Sequence, residues 1–259
     1  KFLISKIPSI RKFLPVVDNN NKLKFIIIDE NIISNKIALV MAGGFGTRLG
    51  NKTKDTPKPL LKIANKSMLE LIIEKLEKCD YKTIYISTHY LHNKINAFIK
   101  KRKSLSKIRI IHEKVPLGTA GAIGKLIKND FDFLTVVNGD VVSDIDFSSL
   151  YNFHIESKND ITITVAKYSY QIPFGVISFD KEKKFKSLIE KPVNSSFVLS
   201  GIYCLNKEIC LLVDKKIDMT ELINKASALK KNIGVFPIYE YWRDVGSLSD
   251  FSLANKERN

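Results

Sequence analysis

Cysteine, arginine and long apolar runs are scarce in this chain, and each scarcity excludes something. The three cysteines among 259 residues, Cys79, Cys204 and Cys210, have neither an even count nor metal-ligand spacing. A disulfide framework and a thiolate metal site are thereby excluded, and buried free thiols in a reducing cytoplasm are expected. No apolar run approaches the ~20 residues that a bilayer-spanning helix needs, so no membrane association is expected. The segment Lys1 to Asp18 lacks the continuous apolar core and small-residue cleavage site of a secretory signal. The chain begins without methionine, as expected of an internal or processed piece of a longer protein. His89, His92, His112 and His154 lack metal-ligand spacing, and no Ser-His-Asp arrangement suggests itself.

Arginine occurs only at positions 11, 48, 102, 109, 243 and 258, so the formal charge of +15 is carried almost entirely by lysine. Those lysines are spread along the chain, as a compositional bias would spread them. The one compact basic cluster, Lys100-Lys101-Arg102-Lys103, ends a predicted helix, where cations suit the helix dipole. The charge therefore reads as a field that gathers anionic substrates, and no nucleic-acid partner is expected.

What the chain does have is a glycine-rich turn in a telling place. Ala42-Gly43-Gly44-Phe45-Gly46-Thr47-Arg48-Leu49 follows Ile37-Ala38-Leu39-Val40-Met41, a run that reads as a buried first strand. Glycine lets backbone N–H groups approach a bulky anion. Arg48 adds a planar cation with several donors, and Lys58, between Pro57 and Pro59, adds a second on a stiffened backbone. The turn is not a Walker loop, because no Gly-Lys-Ser/Thr closes it. Nor is it the dinucleotide fingerprint, because Leu49 stands where a third glycine belongs.

From Ile37 onward strands and helices alternate. Strands are expected at 37–42, 83–87, 108–112 and 133–137, with helices at 68–79, 92–103 and 118–128 between them. This βαβ order predicts an α/β fold with a doubly wound, mostly parallel mixed sheet flanked by helices. Beyond residue 160 the texture turns to strands, at 161–168, 174–179, 185–190 and 197–205, read as a mixed extension carrying a sugar-binding lobe. A helix near 220–230, a strand at 233–238 and a closing helix from about 248 complete the chain. Residues 1–32 differ: Phe13 to Asp18 and Leu23 to Asp29 flank a turn and predict a β-hairpin. The domain division is therefore 1–32 and 33–259.

Further motifs follow the glycine turn in order: Pro57-Lys58-Pro59-Leu60-Leu61, Pro116-Leu117-Gly118-Thr119-Ala120-Gly121, Asn138-Gly139-Asp140, Pro173-Phe174-Gly175-Val176-Ile177, Glu190-Lys191-Pro192, Gly201-Ile202-Tyr203 and Trp242-Arg243-Asp244-Val245-Gly246. Together they resemble the sugar-1-phosphate nucleotidyltransferases, also called nucleotide-sugar pyrophosphorylases, over roughly residues 37–259. The resemblance implies a Rossmann-like nucleotidyltransferase fold, and transfer of a nucleotidyl group to a sugar 1-phosphate with release of pyrophosphate. It implies Mg²⁺ on Asp140 and Asp244 as the metal ligands. It assigns catalytic roles to Arg48, Lys58, Asp140, Lys191 and Asp244. Nucleotide contacts fall to Ala42, Gly43, Gly44, Gly46, Thr47, Arg48, Glu113, Gly118 and Thr119. Sugar contacts fall to Gly139, Gly175, Glu190, Lys191 and Ser200. Ser200 departs from the family, which commonly has Asn before Ala-Gly-Ile/Leu-Tyr, and this shifts any sugar contact there.

Uridylyl- and thymidylyltransferases of the family commonly carry Gln at the position of Glu113. A carboxylate offers acceptors only, which suits the paired N1–H and N2–H₂ donors of guanine, so GTP is the expected nucleotide. The whole chain most resembles guanylyltransferases linked to cystathionine-β-synthase (CBS) modules in bacterial legionaminic acid biosynthesis, which use glucosamine 1-phosphate. Residues 1–32 are accordingly expected to be the remnant of such a module, and the full-length protein a cytoplasmic enzyme with homodimerisation as an open option. The alternatives are a mannose- or heptose-1-phosphate guanylyltransferase, a uridylyl- or thymidylyltransferase, or a nucleotide-sugar-binding regulatory subunit without catalysis. The last predicts lost metal and phosphate residues, whereas Arg48, Lys58, Asp140 and Asp244 are all present.

Overall fold

The computed structural model describes residues 13–18, 20–28 and 35–258. Near its start, strands β1 (Phe13–Val17) and β2 (Leu23–Ile28) pair antiparallel. The Asp18 carboxylate closes the turn between them by accepting from the N–H groups of Asn20 at 2.8 Å and Lys22 at 3.0 Å. The rest of the 1–32 segment, residues 1–12, 19 and 29–32, lies outside the described residues.

The body begins with β3 (Lys36–Met41) and a small β4–β5 pair (Lys62–Ile63, Lys66–Ser67) leading into α1 (Met68–Lys78). Then come β6 (Thr83–Thr88), α2 (His92–Lys101), β7 (Lys107–His112), α3 (Gly118–Gly121), β8 (Phe133–Asn138), β9 (Val141–Ser143) and α4 (Phe147–Glu156). The second half runs β10 (Ile161–Gln171), β11 (Val176–Phe179), β12 (Phe185–Ile189), β13 (Val193–Asn206), α5 (Lys207–Cys210), α6 (Met219–Ala228), β14 (Ile233–Ile238), β15 (Trp242–Asp244) and α7 (Leu248–Arg258).

Seven strands form the central sheet in the order β14-β10-β13-β8-β3-β6-β7. Every neighbouring pair is parallel except the two made by β13, so β13 alone runs against the rest. This is the expected mostly parallel mixed sheet with helices on both faces. Side chains alternate along β3 and divide the core. Ile37 and Leu39 pack with Ala120, Leu126 and Leu222 of the α3–α6 side, and Ala38 and Val40 with Leu69, Ile73 and Phe147 of the α1–α4 side. The order of strands reverses between the parallel neighbours β3 and β8, since β6 and β7 are added on one side of β3 and β8 on the other, and the crevice beyond the carboxyl ends at such a point is where open α/β sheets place ligands.

One expected helix and one expected buried thiol need correction. The helix expected over 118–128 is α-helical only through Gly121 and continues as a 3-10 turn to Lys125. Gly118, Gly121 and Gly124 recur every third residue, the period of a 3-10 helix. Each lies against the 213–218 segment, where a Cβ would stand 2.5 Å from the Ile217 oxygen, 2.7 Å from the Lys215 oxygen and 3.3 Å from Val213 Cγ1. Helix α4 carries no sequence reading of its own; the Asp146 carboxylate caps it, accepting from the N–H groups of Ser148 and Ser149. Cys204 and Cys210 are buried and free as expected, with burial pushing both thiols up to about 12, whereas Cys79 is half-buried. Among the described residues no helix is long and apolar enough to cross a membrane.

Candidate active site

A cleft opens at the carboxyl ends of β3 and β8. Its lining joins the glycine turn (Gly43, Gly44, Phe45), Lys58 and Pro59, the Glu113–Thr119 loop, and Asn138-Gly139-Asp140. The floor is closely fitted. Gly139 donates its N–H to the Met41 oxygen at 2.9 Å, and a Cβ there would stand 2.6 Å from that oxygen and 3.1 Å from Pro59. Gly44 faces open space with nothing within 4 Å of an added Cβ, as a turn built to admit a ligand requires. The Ala42 N–H is already taken by the Ser87 oxygen at 2.8 Å, so of the expected phosphate-binding residues Ala42 anchors the turn. Gly46 takes φ +67°, from which the chain enters a 3-10 segment, Thr47–Thr53, that is broken at Gly50 and carries Thr47 and Arg48 in its first part.

Two carboxylates about a hundred residues apart in sequence meet here through a short ladder. Strand β15 pairs antiparallel with β9, placing Asp244 opposite Val141, and the Val245 N–H donates to the Asp140 oxygen at 3.0 Å. Both sides of β15 are held. Trp242 Nε1–H donates to the Ser200 oxygen at 2.9 Å, and Glu257 of α7 accepts from Arg243 Nη2 at 2.8 Å and from Tyr241 Oη at 2.9 Å. Lys58, buried, forms an ion pair with Asp140. The Arg48 guanidinium lies beside Gly246, whose Cβ would stand 3.5 Å from Nη1.

The electrostatics follow from this crowding. Asp244 keeps an exposed face, yet burial of the rest lifts its carboxyl above the ordinary aspartate range, and the Asp140 charge lifts it further. Lys58 and Arg48 pull it back down. Two carboxylates held together against their repulsion form an oxygen donor set of the kind hard divalent cations take, which fits Mg²⁺ with one or two carboxylates plus phosphate and water. Among the described residues no group of three or more His, Cys, Asp or Glu gathers to hold a metal alone.

Other expected residues fare differently. Glu113 is buried at the cleft wall; its Oε2 accepts from the Leu117 N–H at 2.9 Å and its Oε1 from the Ser87 hydroxyl. A carboxylate has about four acceptor positions, and these two bonds fill two of them. Gly118, at φ +81°, and Thr119 also line the cleft, but the Thr119 hydroxyl is tied to α6, bonding to Asp218 and accepting from the Met219 N–H. Glu190, Lys191 and Gly175 lie on an exposed arm formed by the outer halves of β10 and β13 with the β11–β12 hairpin. Lys191 stands 4.0 Å from Glu190, and Gly175 leaves room for the Glu190 carboxylate, which a Cβ would approach to 2.9 Å. The structure does not join this trio to the Asp140–Asp244 cluster through any described bond.

Ser200 is a correction. It is 1% exposed, and its hydroxyl bonds to Thr164 across the β10–β13 pair, donating to the Thr164 oxygen at 3.1 Å. The positive φ of Gly201, packed on the Asn138 side chain, marks an irregularity here, and the β10–β13 register shifts between Ile163 and Val165. A hydroxyl turned into the sheet cannot touch a sugar in the cleft.

A family model described as nucleotidyl transferase matches residues 37–259. The chain belongs to the nucleotidyl transferase family. The mannose-1-phosphate guanylyltransferase catalytic subunit beta of Dictyostelium discoideum is 32% identical over 222 residues, 83% of this chain and 62% of that protein. The mannose-1-phosphate guanyltransferase of Debaryomyces hansenii is 31% identical over 223 residues, 82% of this chain. The chain thus spans 62% of the length of both relatives. The crystal structure of HddC from Yersinia pseudotuberculosis complexed with GMP-PN superposes with a TM-score of 0.67 at 26% identity, covering 86% of this chain and 99% of that one.

Proposed function

We propose that this nucleotidyl transferase moves GMP from GTP to a sugar 1-phosphate, forming a nucleotide sugar and pyrophosphate. The single observation that carries the reading is the β9–β15 ladder, which sets Asp244 beside Asp140, Lys58 and Arg48 at the mouth of a glycine-lined cleft. Asp140 and Asp244 would hold a divalent cation, Mg²⁺ in this reading, which when bound would supply Lewis-acid chemistry to the α-phosphoryl group. The chain's own groups do the rest. Glycine-turn N–H groups and Arg48 hold the triphosphate and balance charge on the departing pyrophosphate. Lys58, now paired with Asp140, turns its ammonium to phosphate when phosphate arrives. Holding both anions in line lowers the entropic cost of their encounter. Glu190 and Lys191 take the sugar and its phosphate.

Guanine is favoured by the acceptor-only carboxylate of Glu113 at the cleft wall, by the names of the relatives and by the GMP-PN complex of the structural neighbour. For the sugar, glucosamine 1-phosphate is what the motif resemblance implies and mannose 1-phosphate what the relatives' names carry. Cytoplasmic placement and a regulatory, CBS-like origin for the β1–β2 hairpin belong to the same reading.

The test is Mg²⁺-dependent pyrophosphate release across GTP, UTP, dTTP, CTP and ATP, each against glucosamine, N-acetylglucosamine, mannose, glucose and heptose 1-phosphates. A dominant GTP column is expected. Faster turnover of UTP or dTTP than of GTP at matched concentration sinks the guanine assignment, and no release in any combination sinks the transferase reading.

A further inference from the structure

One wall of the cleft, the Pro116–Thr119 turn, is fastened to a segment that no catalytic motif contains. The Ile217 N–H donates to the Leu117 oxygen at 3.0 Å, and the Ala120 N–H donates back to the Ile217 oxygen at 3.0 Å. Asp218 Oδ1 accepts from the Thr119 N–H at 2.9 Å and bonds the Thr119 hydroxyl at 3.2 Å. The same hydroxyl accepts from the Met219 N–H at 2.8 Å. Gly118 and Gly121 allow this close approach, since a Cβ on Gly118 would stand 2.5 Å from the Ile217 oxygen and 2.8 Å from Asp218 Oδ1. The turn is anchored at its other end too, where the Leu117 N–H donates to Glu113.

The geometry points to Asp218 as a positioning residue for nucleotide binding: through Thr119 it fixes the turn that faces the nucleotide, while touching neither substrate nor metal ligand. This rests on the proposed nucleotide site. A carboxylate accepting two donors from one residue holds that residue in one place, and hydrogen bonds to charged acceptors are stronger than neutral ones. Loosening the turn should weaken nucleotide binding and leave the phosphoryl chemistry at Asp140 and Asp244 alone. Asp218 also precedes α6 and receives a reciprocal contact, its N–H donating to Glu221 Oε2 at 3.1 Å. A purely structural role as a helix cap is therefore the rival explanation, and Glu221 supplies the control, because its carboxylate serves the cap without touching Thr119.

The experiment compares wild type, Asp218→Ala, Asp218→Asn and Glu221→Ala. It measures Kd for a fluorescent GTP analogue by titration, steady-state KM and kcat, and Tm. Asp218→Ala is expected to raise the analogue's Kd and the KM for GTP on the order of tenfold, with kcat and the sugar-phosphate KM within about twofold. Asp218→Asn, which keeps an acceptor oxygen, is expected to recover most of the affinity. Glu221→Ala is expected to lower Tm as Asp218→Ala does, with affinity unchanged. Equal Kd for wild type and Asp218→Ala overturns the proposal alone, as does an equal rise in Kd for Glu221→Ala. A wild type that binds no guanine, uracil or adenine nucleotide overturns the reading of the site and this proposal with it.

Discussion

Asp244→Asn should make the metal-free protein more stable and the enzyme nearly inactive. The substitution keeps the shape of the side chain and removes its charge. In the fold Asp244 is pressed against Asp140 by the β9–β15 ladder, and its carboxyl is raised first by burial and then by the Asp140 charge. Like charges in neighbouring side chains repel by a few kcal/mol at an effective dielectric of about 20. The attraction of Lys58 and Arg48 and the solvent at the exposed face of Asp244 cancel most of this, leaving a net gain on the order of 1 kcal/mol. In a protein of this size that is a rise in Tm of about 2–4 °C.

The sign with pH follows from the direction of the shift. The folded carboxyl sits above its unfolded value, so the stability it contributes is present below the unfolded value and lost as pH rises through the folded one. The variant's advantage is therefore absent in acid and grows toward neutral pH. Divalent cation should close the gap, since it relieves the same repulsion in wild type and stabilises the state it binds. Pyrophosphate release should fall on the order of 100-fold or more in the variant. Thermal melts at several pH values, with and without Mg²⁺, and turnover at saturating substrates check each part. A lower Tm for the variant at neutral pH without metal would refute the electrostatic argument, and wild-type turnover would remove Asp244 from the reaction.

Two further perturbations separate structure from function. Ser200→Ala should lower stability by about 1 kcal/mol, the worth of a hydrogen bond across β10 and β13, and leave the sugar-phosphate KM unchanged; a rise in that KM would restore the sugar contact that its burial denies. Glu77→Ala should cost about 2–3 kcal/mol, because it strips the carboxylate from a half-buried guanidinium that Glu77 grips with both oxygens, at 2.8 and 2.7 Å from Arg102. Burial pushes the Glu77 carboxyl up, but the Arg102 hydrogen bond and the Ser106 and Leu105 N–H groups outweigh it and hold the carboxyl below its ordinary range. Its contribution is thus present above the unfolded value and fades as pH falls through the lowered one, so wild type and variant should converge in acid melts.

The parts of this fold legible in the sequence are those governed by local pattern. The buried run of β3, the apolar period of α1 behind its Ser67 cap and the strand ending at Asn138-Gly139-Asp140 all have the period or punctuation that their neighbours in sequence dictate. The 118–128 segment does not, because its glycines answer to the 213–218 backbone on which they pack, a hundred residues away. Ser200 was open to misreading for a related reason. Its motif sits on β13, the one reversed strand, and which face of that strand meets the cleft depends on a register irregularity at Ile163–Val165 that no alternation of residue types announces.

The same distinction explains why the site could be assembled from motifs yet not connected. Arg48, Lys58, Asp140 and Asp244 are each recognisable from their neighbours, but the bond that makes them one site is the pairing of β15 with β9, three residues long on each side. So short a ladder has little stability of its own. It persists because Trp242 is tied to the back of Ser200 and Arg243 to Glu257 on α7, so the last helix and the reversed strand together keep Asp244 at its post. Ser200 thus bears on the proposed site through its backbone oxygen, which receives the Trp242 indole, and its buried hydroxyl serves the strand pairing that holds this oxygen in place.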